Sequence, residues 1–158
     1  LRMAVVGAVH IAQALVPMAK LAGFEVTVID PRESFMQAGR IDGVCNIKEW
    51  PDEGMKQLAP DNRTAVVTLT HDPKLDDPAL AAALRSQAFY IGSLGSKKTH
   101  ESRVKRLKLM GFTNKQISRI HAPIGIKIYA RSPSEIASSI ISQIIMSVNK
   151  NRKNSNEI

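Results

Sequence analysis

Hydrophobic and polar positions along the chain follow two periods, one typical of strands and one typical of helices. Short apolar runs rich in β-branched residues predict five strands, at residues 3–8, 25–30, 43–47, 64–70 and 89–91. Apolar residues at helical spacing predict six helices, at residues 10–22, 34–38, 77–86, 97–110, 113–120 and from 133 onward. Strands that alternate with helices indicate a parallel sheet covered on both faces. We therefore expect an α/β fold, a Rossmann-like doubly wound parallel sheet with helices on both faces in three α/β/α layers.

Capping signals predict where several helices begin. The expected N-cap residues are Asp77, Ser96, Thr113 and Ser132. Pro78 and Pro133 follow two of them at the first helical position, where a missing N–H costs nothing. Gly23 is expected to end the first helix. The last helix carries a continuous apolar stripe that predicts packing on a sheet or on another copy of the chain: Ile136, Ala137, Ile140, Ile141, Ile144 and Ile145.

The length of 158 residues suits one domain, which we place at residues 1–148. Residues 149–158 are basic and rich in Asn, and we expect a disordered tail there. The formal net charge is +8, with a basic cluster at Arg103, Lys105, Arg106 and Lys108. Such a cluster predicts a solvated helix face, or else a surface for an anionic partner. Nucleic acid is disfavoured as that partner because no aromatic residues are interleaved with the basic ones.

The single cysteine, Cys45, excludes an internal disulfide framework and favours a reducing, cytoplasmic location. We expect Cys45 to be a small buried residue rather than a reactive thiol. No apolar stretch is long enough to span a membrane.

The loop after the first strand has the context of a dinucleotide-binding fingerprint. Gly7 and Ala12 occupy the first and third positions of G-x-G-x-x-G/A, and Val9 replaces the second glycine. A β-branched side chain there obstructs the approach of a pyrophosphate. Asp30 ends the second strand, where a carboxylate can accept hydrogen bonds from a ribose. This loop therefore predicts either a nucleotide site or a Rossmann scaffold that holds no nucleotide.

His71 and Asp72 follow the strand at 64–70, with Asp76 nearby. Ligands of open α/β sheets bind beyond the carboxyl ends of the strands, so His71 is expected to face the same crevice as Gly7. A histidine beside carboxylates is a general base, a metal ligand or an ordinary loop residue. We expect no metal site, because no second histidine stands nearby at metal-ligand spacing.

A second glycine loop, residues 92–97, leaves a strand and opens a helix. Gly92 and Gly95 free backbone N–H groups, while Ser96 and Lys97 stand at the positive end of the helix. This loop predicts an anion cradle, although an ordinary strand-to-helix turn has the same pattern. It is not a P-loop, because the G-x-x-x-x-G-K-[ST] spacing is absent.

Taken together, the motifs resemble the carboxyl-terminal domain of the XdhC/CoxI family of molybdenum hydroxylase accessory proteins. The segments that carry the resemblance are GAVHIAQAL, GFEVTVIDPR, VVTLTHDPKLDDPAL, YIGSLGSKKTHESR, APIGI and SPSEIASSI. The resemblance implies a Rossmann-like domain, usually preceded by an amino-terminal domain. It also implies binding of molybdenum cofactor (molybdopterin), help with its sulfuration and delivery to an apo-enzyme. The implied ligand-facing residues are Gly7, His10, Asp30, Arg32, His71, Asp72, Asp76, Gly92, Gly95, Ser96 and Lys97.

Three functional hypotheses follow. The first is a cofactor chaperone whose partners are a molybdenum hydroxylase apo-enzyme, of the xanthine dehydrogenase or carbon monoxide dehydrogenase type, and a sulfur donor protein. The second is an NAD(P)-dependent oxidoreductase in which His71 exchanges the proton. The third is a ligand-free module that forms a homodimer through the helix at 136–145. We favour the chaperone, which is not an enzyme, and expect neither nucleic acid nor a membrane as a partner.

Overall fold

The computed structural model describes residues 1–33, 41 and 43–156. Six strands are described: β1 Arg2–Val6, β2 Glu25–Ile29, β3 Cys45–Ile47, β4 Thr64–Thr68, β5 Tyr90–Ser93 and β6 Ile120–His121. The described helices are α1 His10–Leu21, α2 Pro51–Leu58, α3 Pro73–Arg85, α4 Lys97–Leu109, α5 Asn114–Ile117 and α6 Pro133–Asn156. The short helix predicted at residues 34–38 lies outside the described residues.

The strands form one parallel sheet in the order β3-β2-β1-β4-β5-β6. The chain order reverses between β1 and β4, which are paired in register from Arg2↔Thr64 to Val6↔Thr68. This is the switch point of a doubly wound sheet, where the loops that leave the carboxyl ends of neighbouring strands diverge. The predicted Rossmann-like three-layer fold is confirmed.

Each face of the sheet has its own hydrophobic core. One core joins α1 and α6 to residues such as Met3, Val5 and Val67, whose side chains point to that face. The other core contains residues of the four helices α2, α3, α4 and α5, packed against Ala4, Val6 and Val66 of the sheet. The alternation along β1 and β4 follows from the two-residue period of a strand, and both sets are apolar because both faces are covered.

The apolar stripe of α6 is buried within its own chain. Ala137, Ile140, Ile141, Ile144 and Val148 all belong to the core shared with α1, while Ile145 is exposed. The sheet and α1 therefore cover most of the surface that the dimer hypothesis would use. The helix continues through Asn156, into the segment from residue 149 for which a disordered tail was predicted.

Three predicted caps are confirmed in the structure. The Ser96 hydroxyl accepts the Thr99 N–H in α4, and Thr113 forms a reciprocal capping box with Gln116. Ser132 and Glu135 exchange the equivalent bonds at the start of α6. At the end of α1, Gly23 has φ +87° and the Gly23 and Phe24 N–H groups bond back to Lys20 and Ala19, a Schellman motif.

Two further local predictions were wrong. α3 begins at Pro73 with Asp72 as its cap, not at Pro78 with Asp77, because Asp72 accepts the Lys74 N–H and an earlier proline takes the first position. Cys45 is exposed rather than buried, because β3 is a short edge strand with two exposed residues. Helix α2 and strand β6 were not predicted.

Candidate functional site

The loops after β1, β2, β4 and β5 lie side by side, because parallel strands present their carboxyl ends at one edge of the sheet. We call this edge the carboxyl rim and define it as residues 7–10, 30–33, 69–76 and 93–97. It brings together all the predicted site residues except Ala12, which lies in α1, and Gly92, which lies in β5. The rim begins at the Gly7 and Asp30 loops and ends at Lys97.

Packing explains the residues of the first glycine loop, residues 7–12. Gly7 has φ +107°, and a Cβ placed there would lie 2.7 Å from Cγ2 of Thr70. Val9 is the N-cap of α1 and packs against the hydrophobic core, and Ala12 is fully buried in that core. His10 is exposed at the first position of α1. Only glycine fits at position 7, because the loop after β1 lies so close to Thr70 in the loop after β4.

Asp30 is fully buried and is engaged on both oxygens. Oδ2 accepts the Ala8 N–H at 2.9 Å and the Arg32 Nη2–H at 2.8 Å. Oδ1 accepts the backbone N–H and the Nε–H of Arg32, both at 2.9 Å. This carboxylate therefore ties the first glycine loop to the end of β2 and forms a two-pronged ion pair with Arg32.

The folded chain favours the charged form of Asp30. Burial acts to raise the pKa of Asp30, but the hydrogen bonds from Arg32 and Ala8 outweigh it and hold the pKa below its usual value. The same hydrogen bond raises the pKa of the Arg32 guanidinium. A ribose hydroxyl would have to displace Arg32 before it could reach this carboxylate.

The β4–α3 loop places His71 on the surface of the rim. His71 is exposed and has φ +62°, a backbone conformation that residues other than glycine rarely adopt. Asp72 accepts the Lys74 N–H as the cap of α3, and no hydrogen bond from the His71 ring is found among the described residues. The catalytic roles suggested for His71 and Asp72 stay predictions.

Asp76 lies beneath this loop and is 1% exposed. Its Oδ1 accepts the hydroxyl of Thr70 at 2.6 Å and the Thr70 N–H at 3.3 Å. Burial raises the pKa of Asp76, against the effect of the Thr70 hydrogen bonds. The carboxyl therefore fixes the loop and faces the interior of the rim rather than the solvent.

The second glycine loop has a mixed explanation. Gly92 is buried in β5, where a Cβ would lie 2.6 Å from Cδ1 of Ile124, so its role is close packing. Gly95 has φ +136° and turns the chain into α4, and the Ser96 hydroxyl is used as a cap. The backbone N–H groups of Lys97 and Lys98 precede the first internal bond of α4, and both side chains are exposed. Of the predicted cradle, the start of α4 and Lys97 remain open to a ligand.

Beside Lys97 lies an open apolar groove of about 450 Å³. Its far wall is the segment of residues 123–130, which we call the strap. Besides the strap, the groove is lined by Leu94, Lys97, Ile136 and Ser139. On the strap, Ile128 is 46% and Tyr129 80% exposed, and Lys127 lies 5.2 Å from the centre of the Tyr129 ring. The groove thus joins an apolar surface to two lysines.

The strap is held by a glutamine of α6. Gln143 Oε1 accepts the Gly125 N–H at 2.9 Å and the Tyr90 hydroxyl at 2.6 Å, and Gln143 Nε2 donates to the Gly125 carbonyl. Gly125 has φ +93° and lies so close to Ser139 that a Cβ would overlap its hydroxyl. Sequence analysis missed this groove. The alternating residues Ile124, Ile126 and Ile128 were the available signal: the pattern is apolar, but these residues lie in no described strand or helix.

Two classes of feature are absent from the described part of the chain. It contains no group of three or more His, Cys, Asp or Glu side chains that could hold a metal ion. None of its helices is both long enough and apolar enough to cross a membrane.

Comparison with known proteins gives one family and several relatives. Residues 3–144 match the family described as the XdhC Rossmann domain. Molybdenum cofactor insertion chaperone PaoD of Escherichia coli strain K12 is 37% identical over 84 residues, or 53% of this chain and 26% of the relative. A probable xanthine dehydrogenase subunit of Bacillus subtilis strain 168 is 32% identical over 134 residues, or 82% of this chain and 38% of the relative.

A solved structure supports the same relationship. The crystal structure of a protein named as a xanthine dehydrogenase from Bacillus halodurans superposes with a TM-score of 0.84 and 28% identity, covering 98% of this chain and 46% of that one. This chain therefore spans less than half the length of each of these three relatives.

Proposed function

Because this chain belongs to the XdhC Rossmann domain family, we propose that it serves a molybdenum hydroxylase as an accessory domain that binds molybdenum cofactor. In this proposal the cofactor is cargo: it is held, protected during sulfuration and passed to the apo-enzyme. The relative named as a molybdenum cofactor insertion chaperone supports the choice of cargo. The relative named as a xanthine dehydrogenase component supports the choice of client.

The groove beside Lys97 is the observation that carries this proposal. Molybdenum cofactor combines a fused-ring pterin, a dithiolene that needs shielding from water, and a phosphate. The groove supplies apolar walls from Leu94, Ile124 and Ile136 for the first two groups. It also lies at the start of α4, where the helix dipole and Lys97 favour a negative charge. The residues present therefore fit both the apolar and the anionic ends of the cargo.

The first glycine loop is a poorer site than the groove. A dinucleotide needs close backbone approach at the second glycine position, which Val9 occupies, and a free carboxylate at the end of β2. Asp30 is fully buried and bonded to Arg32 and Ala8. We therefore prefer cofactor carriage to NAD(P)-dependent oxidation as the function of this chain.

Delivery requires a surface that the client enzyme can recognise. The strap exposes Ile128 and Tyr129 next to Lys127, so it offers apolar contacts flanked by positive charge. We assign this surface to an acidic partner, since opposite charges speed the encounter of two proteins. The client hydroxylase and a sulfur donor protein are the proposed partners.

Cofactor retention tests the proposal. The purified chain is mixed under anaerobic conditions with molybdenum cofactor released from a hydroxylase, passed through a desalting column, and assayed by the fluorescence of its oxidised pterin. We expect retention by the wild type. Retention should fall about tenfold when Lys97 and Lys127 are both changed to Ala, since two charge-assisted contacts are removed.

Matched controls and parallel ligands make the result specific. Changing Lys105 and Lys108 to Ala removes the same charge from exposed positions of α4 that lie away from the groove, and retention should not change. Thermal unfolding is compared with NAD(H), NADP(H), AMP and GMP. Stabilisation by the dinucleotides without cofactor retention would favour the oxidoreductase instead.

A further inference from the structure

Arg103 of α4 is a buried cation with unused donors. The residue is 2% exposed, and among the described residues its Nε and Nη1 have no hydrogen-bond partner. The other unpartnered buried side-chain atoms that the structure describes are Oδ2 of Asp76 and Nδ1 of His100. Both of these residues interact electrostatically with Arg103, so the unpartnered atoms belong to three residues whose charges are coupled through this guanidinium.

The guanidinium points back to the loop that opens α4. Side chains on a helix lean toward its N-terminus, and Arg103 Nη2 donates to the Leu94 carbonyl at 3.1 Å. Leu94 belongs both to the second glycine loop and to the wall of the groove. The unused donors of Arg103 therefore lie under the same loop whose Lys97 and Lys98 backbone N–H groups stand free at the start of the helix.

No direct ion pair with another described residue neutralises this cation. Among the described residues Arg103 forms no ion pair within 4.0 Å with Asp76 or Asp77, and Asp77 is taken by Arg106 at 2.6 Å. Burial lowers the pKa of Arg103 and raises the pKa of Asp76, as expected for charges that lack a close partner. Buried N–H donors of a guanidinium are costly to leave unpaired, so a polar group is expected to bond to Nε and Nη1.

We propose that Arg103, the N-terminus of α4 and the loop at residues 93–97 form a recognition site for a compact oxyanion, the phosphate group of the ligand. The inference rests on the proposed function for the identity of the ligand, and it adds the residue that selects for phosphate. Arg103 approaches the anion from beneath the loop, and Lys97 approaches it from the solvent side.

Asp76 opposes anion binding in this site. Its unpartnered Oδ2 belongs to the same cluster as Arg103 and carries the sign of charge that repels a phosphate. The change Asp76→Asn keeps an oxygen that accepts both Thr70 hydrogen bonds and replaces the repelling oxygen with an N–H donor. This variant therefore separates a site for an anion from a purely structural carboxylate.

Calorimetric titration of the whole chain with inorganic phosphate tests the inference, with the Arg103 Nε–H signal followed by NMR. We expect phosphate to shift that signal in the wild type. Arg103→Met should weaken phosphate binding by about tenfold or more, since charge-assisted hydrogen bonds are lost. Asp76→Asn should strengthen it by about threefold, since a nearby negative charge is removed. Lys105→Met, an exposed change on the same helix, is the matched control and should leave binding unaltered.

The outcomes are separable. A wild type that binds no phosphate, or an Arg103→Met variant that binds it as well as the wild type, overturns the inference and leaves a water-filled polar cluster. Weaker binding by Asp76→Asn, with an unchanged thermal midpoint, also contradicts it. Cofactor retention is measured on the same variants: a wild type that retains cofactor but ignores phosphate removes this inference alone, whereas failure of retention removes the proposed function.

Discussion

The two glycine loops of the carboxyl rim each join the end of a parallel strand to a helix, the first after β1 and the second after β5. They differ in whether the buried polar groups around them have hydrogen-bond partners. Around the first loop, both oxygens of buried Asp30 are bonded to Arg32 and to the Ala8 N–H. Around the second loop, two nitrogens of buried Arg103, Nε and Nη1, have no hydrogen-bond partner among the described residues, and an open groove lies alongside. The polar groups at the first loop are therefore satisfied by Asp30 and Arg32 of the neighbouring loop, whereas those near the second loop are not all satisfied by the described residues.

This difference shows that a motif locates a region of the fold but not its ligand. The first loop has the better sequence match to a known fingerprint, with Gly7 and Ala12 in place, and its residues are explained by packing. The second loop has no named motif, and near it lie buried polar atoms that lack partners among the described residues. Unsatisfied buried groups are uncommon in folded proteins, so they indicate a binding region better than glycine spacing does.

The largest effect is expected where the closed region is broken. Asp30→Ala removes the buried carboxylate that accepts three hydrogen bonds from Arg32 and one from the Ala8 N–H, so the free energy of unfolding should fall by about 3 kcal/mol. Urea denaturation measures this change. Glu25→Ala, an exposed acid on the same strand, is the control and should cost less than about 0.5 kcal/mol. A small cost at both positions would mean that Asp30 does not hold the loop.

The same carboxylate gives a pH signature. The pKa of Asp30 is lower in the folded chain than its usual value near 3.9, so its stabilising contribution is present above that pH and is lost as the pH falls through the folded pKa. The wild type should therefore lose stability below about pH 4 more steeply than Asp30→Asn. Urea denaturation at a series of acidic pH values measures both slopes. Equal slopes would contradict the assignment.

A charge placed in the open groove should affect binding and not folding. Ile128→Asp changes a half-exposed strap residue, so we expect stability to change by less than about 0.5 kcal/mol and cofactor retention to fall about tenfold. Leu109→Asp at the far end of α4, where the side chain is 89% exposed, introduces the same charge away from the rim. Equal retention by both variants would remove the groove from the site.

The smallest effect is expected at His71, which lies between the two loops. Replacing it with glycine removes the strain of the positive φ, but it also raises the conformational entropy of the unfolded chain. The free energy of unfolding should therefore rise by only about 0.5 kcal/mol. Ala59→Gly, at another positive φ at the end of α2, should gain a similar amount. If His71 contacts the cargo, only His71→Gly will also lose cofactor retention. Equal retention by both variants would leave His71 as a loop residue.

Much of the fold could be predicted because local signals and the global fold agree. The strands that form the centre of the sheet are continuous apolar runs, and the caps at Ser96, Thr113 and Ser132 are short-range patterns within a few residues. The start of α3 was misplaced because two prolines compete, and the choice depends on Asp72 reaching the Lys74 N–H. Strand β6 is only two residues long, and its pairing with β5 is a long-range contact that no local pattern encodes.

The position of the candidate site could be predicted from the sequence, but the hydrogen-bond and ion-pair partners of its residues could not. Sequence reasoning placed the polar residues at the carboxyl ends of the strands, where parallel topology requires them to meet. It could not show that Asp30 is occupied by Arg32, because a side-chain ion pair depends on the local path of the chain. It also treated Arg103 and Arg106 as part of a solvated basic face or of a surface for an anionic partner, whereas Arg103 is buried and Arg106 pairs with Asp77. Helical spacing alone does not reveal these partners.

The hydrogen bonds from Gln143 to the strap have a thermodynamic consequence. One amide side chain holds both the N–H and the carbonyl of Gly125, and it also accepts the Tyr90 hydroxyl. The groove wall is therefore set by α6, which is packed into the core, before any ligand arrives. A preorganised wall spares the ligand the entropic cost of ordering a loop, so affinity depends on contacts made rather than on folding induced. The same rigidity limits the shapes the groove can accept, and it favours a flat, stiff cargo over a flexible one.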